Sequence, residues 1–282
     1  VLVTQRITLP SDTSQLVNVE WAIQNNTGSA LTDVRFVRVV DSFLAGDDKG
    51  AGLWIPSQTT VGVERYDLTT GIQQMLLKST GGATPADVES KNYYDVLGDA
   101  TYYGTGLQTD SDPTDATPND GIDTDPTIDN GYGMEWAFAS LASGATVSMQ
   151  TNEIFVASTV LTKWADTSAP TGSVGHPITL AFNINNVSGQ EKSAAYAVDV
   201  PSGWSAAVLP VTTNTFGAAS DNTGTVHNDT TNTATVTVQV TPPSGATIGN
   251  YDVVFKTTVG NTTTRTMGMA EVIAATNVAP VI

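Results

Sequence analysis

The feature that most constrains this chain is a period-two alternation of apolar and polar residues, which recurs along much of its length. It is clearest in residues 17–24 (VNVEWAIQ), 178–184 (ITLAFNI) and 233–241 (TATVTVQVT). Successive side chains of a β-strand point to opposite faces of a sheet, so each segment is predicted to be a strand with one buried face. Turn-forming runs of Asn, Gly, Pro and Ser separate these segments. We therefore predict an all-β chain with two antiparallel β-sandwich domains in tandem.

An internal repeat indicates that the two domains are related. Residues 17–39 match residues 178–200 without a gap, with apolar positions aligned on both sides of a turn that contains Asn-Asn and a Gly. Each segment is predicted to be a β-hairpin. The alternative is that any two amphipathic hairpins with Asn-Gly turns look alike.

The domain boundaries follow from a short linker and a long insertion. Residues 165–175 are rich in Ser, Thr, Gly and Pro and are predicted to be a linker. The first domain has an acidic insertion at about residues 44–132, which is predicted to be mostly loop, with short helices at residues 70–79 and 86–97. The predicted order is a sandwich domain at 1–164, the linker, a second sandwich domain at 176–275 and an extended tail at 276–282.

Charge and composition exclude several functions. The chain has 28 acidic and 11 basic residues, a net charge of −17, no Cys and two His. This acidity disfavours binding to nucleic acid or anionic lipid. The lack of Cys excludes disulfides, thiol nucleophiles and iron–sulfur clusters. No run of 18 or more apolar residues occurs, so we expect no membrane span in this chain.

The composition is typical of an exported protein, because Thr, Ser, Asn and Gly are abundant while Lys and Arg are few. We expect an extracellular or cell-surface location. Asn-x-Ser/Thr sequons are candidate glycosylation sites if the host glycosylates. They occur at Asn25, Asn186, Asn228 and Asn261.

An Asp-rich segment at residues 110–129 is the clearest candidate site. It holds seven Asp and no basic residue, with Asn, Gly and Pro forming turns between them. Calcium prefers six to eight oxygen ligands in a flexible cage, so the segment predicts calcium binding, with a solvated acidic loop as the alternative. The predicted ligands are Asp110, Asp112, Asp115, Asn119, Asp120, Asp123, Asp125 and Asp129. Asp47 and Asp48 form a weaker second candidate, for which a Gly-rich hairpin tip is the simpler interpretation.

The part of this segment from residue 119 to 125 (NDGIDTD) resembles the calcium-binding repeats of thrombospondin type 3. The resemblance implies calcium as the bound ion. The sequence departs from that family where Gly is missing after Asp112 and where Ala-Thr-Pro interrupts the spacing.

No catalytic arrangement is evident. His176 and His227 lie in no nucleophile-elbow motif, so both are predicted to be surface residues. Glu135 lies beside Trp136 and is a candidate member of a carboxylate pair for glycoside hydrolysis, but the segment alternates like a core strand. Tyrosines at 93, 94, 102, 103 and 132 predict either a sugar-stacking face or a lid over the sandwich. We expect the protein not to be an enzyme.

Residues 31–41 (LTDVRFVRVVD) and 198–204 (VDVPSGW) resemble the immunoglobulin-like modules of bacterial and archaeal cell-surface proteins. The resemblance implies that both sandwich domains, 1–164 and 176–275, are immunoglobulin-like, and that the chain has a structural, adhesive or assembly role without an active site. We expect a subunit of a filament, sheath or surface layer that self-associates by strand addition, through residues 1–9 or 233–241 as edge strands. The alternatives are an adhesin or carbohydrate-binding module that binds glycans, and an accessory region of a secreted glycoside hydrolase.

Overall fold

The computed structural model confirms an all-β fold, with one α-helix and eighteen strands in the part of the chain that it describes. The described residues are 1–10, 15–67, 71–101, 107, 121–187, 191–210, 212–216 and 233–274. The chain divides into two compact units. Unit 1 comprises Val1–Tyr66 and Gln73–Val156, and unit 2 comprises Asp67–Ile72 and Ala157–Ile282.

The strands of the first half form two sheets. These elements are β1 (Leu2–Thr8), β2 (Leu16–Gln24), β3 (Leu31–Val40), β4 (Ala51–Ile55), β5 (Thr60–Asp67), β6 (Gly71–Gly82), β7 (Asp87–Asn92), α1 (Tyr93–Thr101), β8 (Asn130–Leu141) and β9 (Thr146–Ser158). A six-stranded sheet has the order β1-β2-β9-β6-β5-β4, and a three-stranded sheet has the order β3-β8-β7. A short 3-10 helix at Pro56–Gln58 connects β4 to β5.

The core of unit 1 lies between these sheets and is centred on three aromatic side chains. The ring centroids of Trp21 on β2 and Phe36 on β3 are 5.3 Å apart, and those of Phe36 and Trp136 on β8 are 5.9 Å apart. Because the three rings come from both sheets, burying them joins the sheets into one sandwich.

Unit 2 is also built on two sheets. Its strands are β10 (Val160–Trp164), β11 (Thr171–Ser173), β12 (Ile178–Asn186), β13 (Lys192–Asp199), β14 (Ser205–Leu209), β15 (Thr213–Phe216), β16 (Thr233–Thr241), β17 (Gly249–Val259) and β18 (Thr262–Ile273). The sheet orders are β10-β12-β16-β14 and β11-β18-β17-β13-β15. This arrangement is of the immunoglobulin type. Phe182 and Phe255 stack between the sheets with a centroid distance of 4.5 Å.

The two predicted hairpins are wrong, although their strands are present. β2 and β3 lie in different sheets, as do β12 and β13. Six residues connect β2 to β3, which is longer than a typical hairpin loop, and the chain crosses the core there. Asn25 is the first residue of this connection and is fully buried. The equivalent residue of the internal repeat, Asn186, is also fully buried, at the end of β12.

The predicted helix at residues 70–79 is wrong, because this segment forms most of β6. Its Gln, Met, Leu and Lys residues favour a helix locally, but Ile72, Leu76 and Leu77 are fully buried in the sheet, and this packing overrides the propensity. The predicted helix at residues 86–97 is replaced by β7 followed by α1. The insertion at 44–132 is therefore largely a part of the sandwich, since it supplies β4 to β7.

Residues 165–175, predicted as a linker, are hydrogen-bonded within unit 2. β11 pairs in parallel with β18, and Asp166 Oδ2 accepts hydrogen bonds from Trp164 Nε1 and from the backbone N–H of Ala181. The predicted tail at 276–282 lies outside the described residues.

Candidate functional site

The strand β1 is an edge strand that is exposed along its whole length. It pairs antiparallel with β2 over seven residue pairs, from Leu2 opposite Gln24 to Thr8 opposite Asn18. All seven of its residues are exposed. Because β1 ends the sheet order, its outer edge presents a row of backbone N–H and C=O groups to solvent.

The inward face of β1 is mainly apolar and uncovered, with the polar Gln5 between Val3 and Ile7, opposite the buried Trp21. Residues directly opposite each other in an antiparallel pair share a face. Val3 and Ile7 lie opposite Ile23 and Val19 on β2, and those β2 residues are only 3% and 2% exposed, whereas Val3 and Ile7 are 54% and 62% exposed. Val1 and Leu9, which flank β1, are odd-numbered like Val3 and Ile7 and are each 66% exposed. We refer to Val1, Val3, Ile7 and Leu9 as the apolar stripe.

Side-chain contacts hold β1 weakly to its neighbour. Arg6 Nη1 lies 3.7 Å from Glu20 Oε2, with both side chains well exposed. A surface ion pair of this kind contributes between about 0 and 1 kcal/mol. The backbone ladder to β2 therefore supplies most of the attachment, and β1 has the features of a segment that opens at low free-energy cost.

The second predicted edge strand is wrong. β16 lies between β12 and β14 and pairs with both. Val236, Val238 and Val240 are 1% exposed or less. Because both edges of β16 are occupied, it cannot add to another sheet without unfolding unit 2.

Five of the predicted calcium ligands, Asp110, Asp112, Asp115, Asn119 and Asp120, lie outside the described residues. The other three are described.

Asp123, Asp125 and Asp129 lie in a turn-rich segment. Asp123 Oδ1 accepts a hydrogen bond from the Asp125 N–H, and Asp125 Oδ1 accepts from the N–H and the hydroxyl of Thr127. The Thr127 hydrogen bonds lower the pKa of Asp125. Burial, together with the charges of Asp48, Asp41 and Asp47, raises the pKa of Asp129. The described residues contain no group of three or more His, Cys, Asp or Glu side chains placed to hold a metal ion.

The weaker acidic candidate is a tight turn. Leu44 and Asp47 exchange backbone hydrogen bonds, and Asp47 Oδ2 lies 2.7 Å from Arg65 Nη1. The hydrogen bond from Arg65 lowers the pKa of Asp47. The Asp47 carboxylate is thus already paired with a cation.

Of the candidate catalytic residues, Glu135 is held by structural hydrogen bonds within the fold. Glu135 is 1% exposed; its Oε1 accepts a hydrogen bond from Arg35 Nη1 at 2.9 Å, and its Oε2 accepts from the Leu107 N–H at 2.6 Å. His176 is exposed, and His227 lies outside the described residues.

Of the tyrosines, Tyr132 is 1% exposed within the core, so it is not part of a sugar-stacking face. Tyr94 is 74% exposed at the start of α1, beside Tyr93. Tyr102 and Tyr103 are outside the described part of the chain.

Two predicted glycosylation sites are incompatible with the fold. Asn25 is fully buried, and its Nδ2 donates hydrogen bonds to the backbone oxygens of Ser29 and Leu141, so a glycan cannot be attached there in the folded chain. Asn186 is likewise fully buried. Asn261 is exposed in the turn between β17 and β18, and Asn228 lies outside the described residues.

Comparisons with known proteins do not assign a family. No family model matches the chain, and no curated protein matches it. Solved structures that it resembles include α2-macroglobulin of E. coli (9% identity, TM-score 0.32) and the C-terminal domains of the antigen I/II proteins BspA of Streptococcus agalactiae (7%, 0.22) and AspA of Streptococcus pyogenes (10%, 0.18).

The matches span 97%, 96% and 95% of this chain, and 23%, 100% and 98% of those chains, respectively. The TM-scores are too low for these likenesses to support a functional argument. No helix among the described residues is long and apolar enough to cross a membrane.

Proposed function

We propose that the protein is a non-catalytic subunit of a cell-surface assembly, such as a filament, sheath or surface layer, whose copies join by exchanging β1. The observation that carries the proposal is an edge strand whose mainly apolar inward face is left uncovered. The extracellular location is supported by the composition, which is rich in Thr, Ser, Asn and Gly.

Exchange costs little free energy because it retains the monomer's contacts. When β1 of one copy replaces β1 of the next, the seven pairs with β2 and the Arg6–Glu20 pair form again between copies. The net free energy of exchange is then set by strain in the connection to β2 and by new contacts at the junction. Each member of the apolar stripe that a neighbouring copy covers at the junction would contribute about 1–2 kcal/mol.

The direction of exchange supports a polymer. Each copy donates one strand and offers one acceptor edge on β2, so the contact is head-to-tail. Head-to-tail contacts form a ring if the rotation closes and an open fibre if it does not. Either product is consistent with a structural assembly.

We also propose that calcium stiffens the assembly by binding the acidic segment at residues 110–129. This part of the proposal is supported by the hard, all-oxygen donor set of the sequence. It is independent of β1 exchange, so either part can fail without the other.

The test uses the full chain and a variant that lacks residues 1–9, compared by light scattering and electron microscopy. The full chain should form rings or fibres, and the truncated protein should remain monomeric. A synthetic peptide of residues 1–9 should bind the truncated protein, and a peptide carrying Val3→Ser and Ile7→Ser should bind at least about tenfold more weakly. A full chain that stays monomeric at high concentration, or truncated protein that still polymerises, would overturn the proposal.

A further inference from the structure

A polar groove lies on the outer face of the six-stranded sheet. Asn18 and Glu20 of β2 alternate with the buried Val19 and Trp21, so they point away from the core. The groove has a volume of about 280 Å³. Its lining consists of Asn18, Val19, Glu20, Thr80, Gln150, Thr151 and Asn152.

The strand register places the polar groups of the groove in matched pairs. Asn18 lies directly opposite Asn152 on β9, and Glu20 lies directly opposite Gln150. Opposite residues in an antiparallel ladder have side chains about 5 Å apart on one face. The groove thus presents the two amides of Asn18 and Asn152, and beside them the amide of Gln150 and the carboxylate of Glu20, on two paired strands.

The side chain of Gln150 contacts Glu20 across the groove. Its Nε2 donates to Glu20 Oε1 at 3.3 Å. A Cβ at position 81 would lie only 2.8 Å from Gln150 Oε1, so the absence of a side chain at Gly81 leaves the room that Gln150 occupies. A site on fixed strands loses little conformational entropy when a ligand binds.

The groups in the groove select the class of ligand. Carboxamides both donate and accept hydrogen bonds, a carboxylate accepts them and a threonine hydroxyl does both. The lining residues include the Glu20 carboxylate and no Lys or Arg, and Arg6, 3.7 Å from Glu20, is offset by that carboxylate, which disfavours an anionic ligand. The lining residues include no aromatic side chain and only one aliphatic residue, Val19, which disfavours an apolar ligand.

We propose that this groove binds a neutral carbohydrate, with Asn18, Asn152 and Gln150 hydrogen-bonding to its hydroxyl groups and Glu20 accepting from a hydroxyl. The volume lies at the lower end of small-molecule sites, so the groove holds a short stretch of a longer glycan. The apolar stripe belongs to the opposite face of the sheet, so glycan binding does not depend on β1 exchange.

The experiment titrates the full chain with maltotriose, cellotriose and chitotriose by isothermal calorimetry and saturation-transfer NMR. At least one of them should bind with a Kd of about 1 mM or tighter. The variant Asn18→Ala/Asn152→Ala should weaken that binding at least about tenfold, with an unchanged melting midpoint. A sulfated trisaccharide should bind more weakly than its neutral counterpart.

Asn183→Ala is the matched control, because Asn183 is an exposed asparagine on β12 of unit 2 whose Oδ1 accepts a hydrogen bond from the Thr235 hydroxyl. Its binding should equal that of the wild type. No binding of any of the three sugars at about 10 mM, or equal binding by the Asn18/Asn152 variant, would refute the carbohydrate site.

Discussion

The substitution Glu135→Ala tests whether this buried carboxylate stabilises the fold, as opposed to acting as a catalytic group. Glu135 accepts hydrogen bonds from Arg35 Nη1 and from the buried N–H of Leu107. Losing the charge-assisted bond to a guanidinium that is 36% exposed costs about 1 kcal/mol after solvent screening. Leaving the Leu107 N–H buried without an acceptor costs about 1–3 kcal/mol. The free energy of unfolding of unit 1 should therefore fall by about 3 kcal/mol.

The measurement is urea unfolding followed by pulsed hydrogen exchange at the peptide that contains Trp136, because this peptide reports on unit 1 alone. Asp33→Asn is the control, since Asp33 contacts the same guanidinium at 3.3 Å but is 77% exposed. It should change the free energy of unfolding by less than about 0.5 kcal/mol. If Glu135→Ala and Asp33→Asn have equal effects, the assignment of Glu135 as a structural anchor is wrong.

Three further predictions concern the pH dependence of stability, the buried Asn25 and calcium. Burial raises the pKa of Glu64 from 4.5 to about 7, so ionisation of this carboxyl disfavours the folded state. The free energy of unfolding should therefore fall as the pH rises from 4.5 to about 7. Urea unfolding at several pH values should show a smaller fall for Glu64→Gln. Asn25→Ala removes side-chain hydrogen bonds to Thr27, Ser29 and Leu141 and should lower the free energy of unfolding, measured by thermal melting, by about 2–4 kcal/mol. The control Asn261→Ala, at an exposed turn, should lower it by less than about 0.5 kcal/mol. Calcium should raise the melting midpoint by about 3–5 °C, and a chelator should reverse this; no shift would leave the acidic segment as plain charged surface.

The period-two pattern predicted the strands well because a strand with one buried face alternates apolar and polar residues along the sequence. β2, β12 and β16 lie where Val, Trp, Phe and Ile alternate with polar residues. The pattern could not predict which strands pair. A strand that crosses to the facing sheet and one that forms a hairpin bury the same alternate residues, so β2–β3 and β12–β13 were misassigned.

A local sequence pattern also cannot predict which strands lie at the edge of a sheet. β1 and β16 were both predicted as edge strands, but only β1 is one; β16 pairs on both sides. The difference lies in residues far along the chain, since β12 and β14 occupy its two edges.

The polar groove was missed for a similar reason. Asn18 and Asn152 are 134 residues apart in sequence and become neighbours only through the register of β2 with β9. Their outward orientation could have been predicted from alternation, but their pairing could not. By contrast, the acidic segment was evident from composition alone.

The most direct test of β1 exchange uses cysteines, because the chain has none of its own. Thr4 and Ala22 are directly opposite each other in the β1–β2 ladder. The single variants Thr4→Cys and Ala22→Cys are mixed, allowed to assemble and oxidised, and the products are separated on a non-reducing denaturing gel. Exchange between copies predicts a heterodimer that appears only in the mixture and disappears on reduction. Absence of that heterodimer, together with an intramolecular disulfide in the double variant, would show that β1 stays with its own chain.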